Sequence, residues 1–94
     1  MRERRRYRVF GDVQGVGFRA FAWREARRIG VAGWVRNRFD GSVEVLAEGS
    51  PLQHDQLTVA LAAGPRMSSV ERVEQHGETA DDEPLVGFNV LGDT

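Results

Sequence analysis

The sequence predicts an α+β fold in which two helices cover one face of an antiparallel sheet. Two segments place apolar residues at helical spacing, and four or five shorter segments alternate apolar with polar residues. These segments follow one another in the order β-α-β-β-α-β. The last β segment is compatible with either one strand or two. That order is typical of the ferredoxin-like split βαβ sandwich. The length of 94 residues favours a single domain over 1–94.

The first strand and helix are predicted from their periodicity. Residues 6–12 alternate, so Tyr7 and Val9 are expected on the core face of a strand. A helix is predicted over 18–29, where apolar residues share one face, and Gly30 is a natural stop. The apolar positions of this helix are Phe18, Phe21, Ala22, Ala26 and Ile29.

A hairpin is predicted next. Strands are expected over 31–39 and 42–48, because the dipeptide DG at 40–41 is a strong two-residue turn signal between them. In the first of these strands, alternation places Val35 and Phe39 on the core side.

The second helix has a clear N-terminal signature. Ser50 is the predicted N-cap, Pro51 occupies the first helical position, and Gln53 completes a capping box. The helix is expected to run to about Ala63. Its predicted buried residues are Leu57, Ala60 and Leu61.

The C-terminal third predicts two further β segments around an acidic loop. Residues 68–76 are expected to form an edge strand, 77–84 a loop, and 85–91 a final strand. The final strand is expected to place three apolar side chains on one face. These are Val86, Phe88 and Val90.

Composition excludes several kinds of chemistry. The chain has no cysteine, which excludes a disulfide framework and a thiolate nucleophile, and all 13 basic residues are arginine, which excludes Schiff-base catalysis. His54 and His76 form no metal-binding pattern and are expected at the surface, so no metal is predicted. No apolar run reaches the roughly 18 residues that span a membrane, and the N-terminus lacks the apolar region of a secretory signal. A cytoplasmic location is therefore expected.

The start of the first helix is unusual. Residues 13–18, VQGVGF, contain no Ser, Thr, Asp or Asn to cap the first N–H groups. Gly15 and Gly17 allow the loop to turn these groups inward as an anion-binding nest. Arg19 in the first turn opposes the helix dipole unless an anion lies there. The same residues are also compatible with an ordinary glycine-rich turn followed by a surface arginine.

Asn37 is the second candidate. It shares a strand face with Val35 and Phe39, which places a carboxamide in an otherwise apolar row, and asparagine is a poor strand former. Such a residue either has a functional role, forms a hydrogen bond with a nearby loop, or marks the end of the strand before the turn.

Two motifs resemble those of a known family. GDVQGVGFR at 11–19 resembles the acylphosphatase signature G-x-V-Q-G-V-x-F-R, and GWVRNRFDGSVEV at 33–45 resembles the family's second motif. Phe39 departs from the pattern, since many members carry a proline or polar residue there. We expect this difference to alter the entry to the hairpin and not the chemistry.

The resemblance implies a hydrolase that converts an acyl phosphate to a carboxylate and inorganic phosphate. By the same resemblance, Arg19 would bind the phosphate and Asn37 would orient the attacking water. Backbone N–H groups of the loop would complete the phosphate site. The residues of that loop are Gln14, Gly15, Val16, Gly17 and Phe18. No metal and no cofactor, nucleic acid or membrane partner is expected, and the chain is expected to be a monomer.

Two other functions share the predicted element order. An RNA recognition module would use aromatic residues on its central strands, but residues 42–48 contain none and carry Glu44 and Glu48 outward. The five arginines between residues 2 and 8 favour that alternative, although such a segment is expected to be a solvated end. A regulatory small-molecule domain of the same fold would need a ligand pocket that the sequence does not indicate.

Overall fold

The computed structural model describes residues 2–79 and 83–92 of the chain. Both helices have the predicted bounds, and the last β segment is divided into two strands. The elements in chain order are β1 (Glu3–Asp12), α1 (Phe18–Ile29), β2 (Ala32–Asn37), β3 (Val43–Gly49), α2 (Pro51–Ala63), β4 (Ser69–Glu78) and β5 (Phe88–Val90). The predicted acidic loop begins later than expected, because residues 77 and 78 belong to β4, and residues 80–82 lie outside the described part.

The five strands form one sheet in the order β4-β1-β3-β2-β5. β1 pairs antiparallel with β3 and β4, and β2 pairs antiparallel with β3. The ferredoxin-like fold is therefore confirmed, and β4 is the predicted edge strand. The sheet is mixed and not wholly antiparallel as expected, because β5 lies at the opposite edge and runs parallel to β2.

The core lies between the two helices and one face of the sheet. Tyr7 and Val9 of β1 are fully buried, as their alternation predicts. The predicted apolar face of α1 is confirmed at four positions, which are Phe18, Ala22, Ala26 and Ile29. All three predicted core residues of α2 are buried.

Phe39 and Val86 are not core residues, contrary to the prediction. β2 ends at Asn37, so Phe39 lies in the turn and is 88% exposed. β5 begins only at Phe88, so Val86 lies outside the strand and is also exposed. In both cases the alternation continues in the sequence outside the residues that pair with a neighbouring strand. Val90 does pair with β2 but is 47% exposed, so Phe88 is the one core residue of the three apolar residues predicted for the final strand.

His54 was expected at the surface but is fully buried in the first turn of α2. The turn packs over β1, where the imidazole makes hydrogen bonds with the Tyr7 hydroxyl and with the main-chain carbonyl of Glu3. Because both ring nitrogens have partners, the desolvation cost of this burial is offset.

Four of the five arginines near the N-terminus are not a solvated end, because they belong to β1; Arg2 precedes the strand and is exposed. On the sheet face opposite the helices, Arg4 contacts Glu48 and Arg6 contacts Glu44 of the neighbouring β3. The two glutamates point away from the core as predicted, yet each is at most 4% exposed, since arginine side chains cover them. This face is thus largely neutralised within the sheet itself.

No helix in the described part of the chain has the length and apolar character required to cross a membrane.

Candidate active site

The loop between β1 and α1 has the conformation that its two glycines predict. Gly15 and Gly17 both have positive φ, 75° and 78°. Gly17 is the N-cap of α1 and provides no side-chain hydrogen bond to the first turn. At α2, in contrast, the Ser50 hydroxyl accepts from the N–H of Gln53. The first N–H groups of α1 therefore have no side-chain cap and contribute the positive end of the helix dipole.

Arg19 is the second residue of α1, and no acidic residue accompanies it in the first turn. Its Nη1 atom donates to the main-chain carbonyl of Leu91, at 3.1 Å, just after β5. The C-terminal segment therefore helps to hold the guanidinium beside the loop. A cation at this position adds to the helix dipole and makes the site attractive to an anion.

Asn37 is the last residue of β2 and lies opposite Val43 of β3. It is 8% exposed. Among residues 2–79 and 83–92, no hydrogen bond joins its carboxamide to another side chain or to the main chain. The carboxamide is therefore able to hold a small polar molecule at the end of the strand, since it carries both a donor and an acceptor.

One open cavity of about 530 Å³ brings these features together. Five of the seven predicted site residues line it, and these are Gly15, Gly17, Phe18, Arg19 and Asn37. Gln14 and Val16 do not line it. The Gln14 side chain points to the β2–β3 turn, and Val16 packs against the core.

The charge of this cavity has a single sign. Arg19 is the only ionisable residue among the described residues that line it. Within the described residues, no three His, Cys, Asp or Glu side chains lie together as a metal-binding group. The arrangement is suited to bind an anion through Arg19 and the α1 N-terminus, with an uncharged hydrogen-bonding group beside it.

A family model described as Acylphosphatase matches residues 5–90. The chain belongs to the acylphosphatase family. It is 52% identical to the acylphosphatase of Pasteurella multocida (strain Pm70), with 93% of this chain and 96% of that protein aligned. It is 47% identical to the acylphosphatase of Thermococcus kodakarensis, with 97% and 98% aligned.

The fold comparison agrees with this assignment. The crystal structure of acylphosphatase from Bacillus subtilis superposes with a TM-score of 0.88 at 36% identity, covering 97% of this chain and 99% of that one. The protein is therefore a hydrolase that acts on acyl phosphates. The comparisons favour this activity over the RNA-binding and regulatory functions that the fold also allows.

Part of the acylphosphatase cavity was not predicted from the sequence. Val90, Leu91 and Gly92 of the C-terminal segment also line it, as do Val13 and Ala20. The sequence places the C-terminal segment far from Arg19, and its residues carry no chemical signal. Only the parallel pairing of β5 with β2, extended by the hydrogen bond from the Leu91 N–H to the Val35 carbonyl, brings the segment to the site.

Proposed function

We propose that this acylphosphatase holds the phosphate group of its substrate with Arg19 and the backbone N–H groups of residues 14–18, while Asn37 orients the attacking water. The observation that carries the proposal is the shared cavity, to which the glycine loop, Arg19 and Asn37 all contribute. Asn37 comes from β2, whereas the loop and Arg19 are consecutive in the chain, and each of the three supplies a group that the reaction requires.

The chemistry of an acyl phosphate fits this small set of groups. The bond between carboxyl and phosphoryl groups is already activated, because the departing carboxylate is a weak base. Catalysis therefore depends mainly on positioning and on stabilising charge at the phosphoryl oxygens. The planar guanidinium of Arg19 can bind two of these oxygens at once.

Asn37 has the complementary role in this proposal. Its carboxamide oxygen accepts a hydrogen bond from water and directs a lone pair of that water toward phosphorus, opposite the departing carboxylate. The proton of the water passes to a phosphoryl oxygen of the substrate, since no carboxylate or imidazole is found among the described residues that line the cavity.

Arg19 and the loop amides supply the positive charge for the reaction, so the proposed mechanism uses neither a metal nor a cofactor. The products are a carboxylate and inorganic phosphate. A monomer as the active unit and 1–94 as one functional domain stay predictions from the sequence. The cytoplasmic location stays a prediction from the sequence.

The test is release of inorganic phosphate from benzoyl phosphate by wild type, Arg19→Ala and Asn37→Ala, each with and without a chelator. Arg24→Ala, on the same helix but exposed, is the matched control for the first variant, and Asn89→Ala, exposed on β5, for the second. Loss of one aimed donor in such sites costs about 10²–10³ in rate. We expect at least that loss in both site variants, near wild-type rates in both controls, and no effect of the chelator.

Wild-type activity in Arg19→Ala or in Asn37→Ala would contradict the role assigned to that residue. Loss of activity on chelation would contradict the metal-free mechanism. A loss of similar size in a control variant would show that the effect is not specific to the cavity.

A further inference from the structure

The side chain of Gln14 lies outside the cavity and contacts the turn that follows Asn37. Its Nε2 atom donates to the main-chain carbonyl of Arg38 at 2.6 Å and to that of Ser42 at 2.9 Å. A primary amide nitrogen carries two hydrogens, so both are used. The two partners are carbonyl oxygens, which only accept, and therefore the nitrogen and not the oxygen of the carboxamide must face the turn.

The turn that receives Gln14 is itself well ordered. The Arg38 N–H donates to the Ser42 carbonyl at 2.9 Å, and the Gly41 N–H donates to the Arg38 carbonyl at 3.1 Å. Asp40 accepts from both the N–H and the hydroxyl of Ser42. Asn37 directly precedes this turn and closes the β2–β3 ladder opposite Val43. The Arg38 carbonyl belongs to the residue after Asn37, and Ser42 precedes Val43, which lies opposite Asn37. The hydrogen bonds from Gln14 therefore act directly next to Asn37.

Gln14 also belongs to the loop that carries the other half of the site. It lies one residue before Gly15 and five before Arg19, both of which line the cavity. Among the described residues, the Gln14 amide is a direct polar link between the β1–α1 loop and the β2–β3 turn. The two segments extend from different strands, and this link fixes one of them relative to the other.

We infer that Gln14 is a positioning residue, whose amide sets the distance between the phosphate-binding loop and the water-orienting Asn37. This inference rests on the proposed roles of Arg19 and Asn37. It assigns to the Gln14 side chain a function separate from that of its backbone N–H. Displacement of a reacting group by about 1 Å can cost 10²-fold in rate, so a link of this kind affects catalysis without touching the substrate.

The test uses two substitutions of nearly equal length. Gln14→Met removes both donors and keeps the bulk of the side chain, and Gln14→Glu directs a carboxylate at the two carbonyls. We expect kcat for benzoyl phosphate to fall about 10- to 100-fold in Gln14→Met, and further in Gln14→Glu. The inhibition constant of inorganic phosphate should change less than threefold in Gln14→Met, because the loop and Arg19 still bind it.

Gln53→Met is the matched control. Gln53 also donates to a main-chain carbonyl, that of Ile29 at 3.1 Å, at the opposite end of α1. The 12 residues of α1 separate it from the site by about 18 Å. This variant should retain wild-type kcat, and unfolding in denaturant should show both methionine variants to be folded at the assay temperature.

A double-mutant comparison identifies the partner of Gln14. In an Asn37→Ala background, Gln14→Met should change kcat less than twofold, since the group that it positions is absent. The inference would be overturned if the kcat losses of Gln14→Met and Asn37→Ala multiplied in the double variant. It would also be overturned by wild-type kcat in Gln14→Met, or by a loss of phosphate binding in that variant as large as its loss of kcat. If Asn37→Ala alone stays active, the proposed function of Asn37 fails and this inference with it. If Asn37→Ala is inactive but Gln14→Met is not, only the inference fails.

Discussion

The Tyr7 hydroxyl oxygen lies 2.6 Å from Nδ1 of His54, and both residues are fully buried. The other ring nitrogen, Nε2, lies 2.7 Å from the main-chain carbonyl of Glu3. A carbonyl oxygen only accepts, so Nε2 carries the proton. In the neutral ring Nδ1 is then the acceptor for the Tyr7 hydroxyl. The geometry thus defines one neutral tautomer of a histidine in the core.

This arrangement predicts loss of stability in mildly acidic solution. Burial lowers the pKa of His54 below its ordinary value of 6.5, and the neighbouring Arg5 acts in the same direction. The unfolded chain therefore binds a proton at this histidine more readily than the folded chain does. The stability contributed by the neutral, buried His54 is complete above about pH 6.5 and declines as pH falls toward the folded pKa. One proton limits the slope to about 1.4 kcal/mol per pH unit.

Denaturant unfolding at pH 7.5, 6.5 and 5.5 measures the effect. His54→Leu should remove most of the slope in this range, whatever its effect on overall stability. His76→Gln, at an exposed position of β4, is the control and should preserve the slope. An unchanged slope in His54→Leu would show that another group is responsible.

Glu44 is predicted to stabilise the outer face of the sheet. Its carboxylate accepts from Arg6, Arg36 and Arg38 at 2.6, 2.8 and 3.0 Å. Burial alone would raise the pKa of Glu44, but hydrogen bonds from Arg36 and Arg6 outweigh it and lower the pKa. Its contribution is therefore present above its ordinary pKa of about 4.5 and is lost as pH falls below that value.

Glu44→Gln should cost about 2–4 kcal/mol of unfolding free energy at pH 7. Removal of one partner from a buried ion pair typically costs about 3–5 kcal/mol, and the three arginines are still 24–35% exposed, which reduces the loss. Glu74→Gln is the comparison, because Glu74 pairs with Arg72 at the surface, where such pairs contribute about 0–1 kcal/mol. Equal losses in the two variants would contradict a special role for Glu44.

Gly17 should not tolerate a side chain. Its φ of 78° lies in the left-handed region, where a residue with a Cβ is less stable by about 1–2 kcal/mol. No atom lies within 4 Å of the position that a Cβ would take, so the cost is conformational and not steric. Gly17→Ala should lose about that free energy and also activity, because the loop amides shift.

Gly77→Ala is the control for this prediction. Gly77 also has no atom within 4 Å of a Cβ, but its φ is not in the left-handed region. Unfolding and phosphate-release assays should find it close to wild type. A Gly17→Ala protein with wild-type stability would mean that the left-handed conformation is not required.

Inorganic phosphate should protect the wild-type protein against thermal unfolding. A ligand that binds only the folded state adds about 2.7 kcal/mol at 100 times its Kd. Arg19→Ala should lose most of this protection, whereas Arg24→Ala should keep it. Sodium chloride at equal ionic strength corrects for general screening. Equal protection of wild type and Arg19→Ala by phosphate would place the anion elsewhere.

The sequence by itself determined the parts of this protein that depend on local interactions. The bounds of both helices follow from apolar spacing, from the Ser50 capping box and from the glycines that end or begin them. The glycine loop and Arg19 were also predictable, because a missing cap and a misplaced cation violate local rules of helix formation. Asn37 was visible as a polar residue in an apolar row.

The tertiary structure alone decided which residues of the remaining chain meet. His54 is buried because α2 packs over β1, and Arg4 and Arg6 of β1 are paired because β3 brings Glu48 and Glu44 beside them. Val90 and Leu91 reach the cavity because β5 pairs with the neighbouring strand β2 at the edge of the sheet. These contacts join residues far apart in the chain, and their energies depend on desolvation and charge pairing that arise only after the elements have packed together.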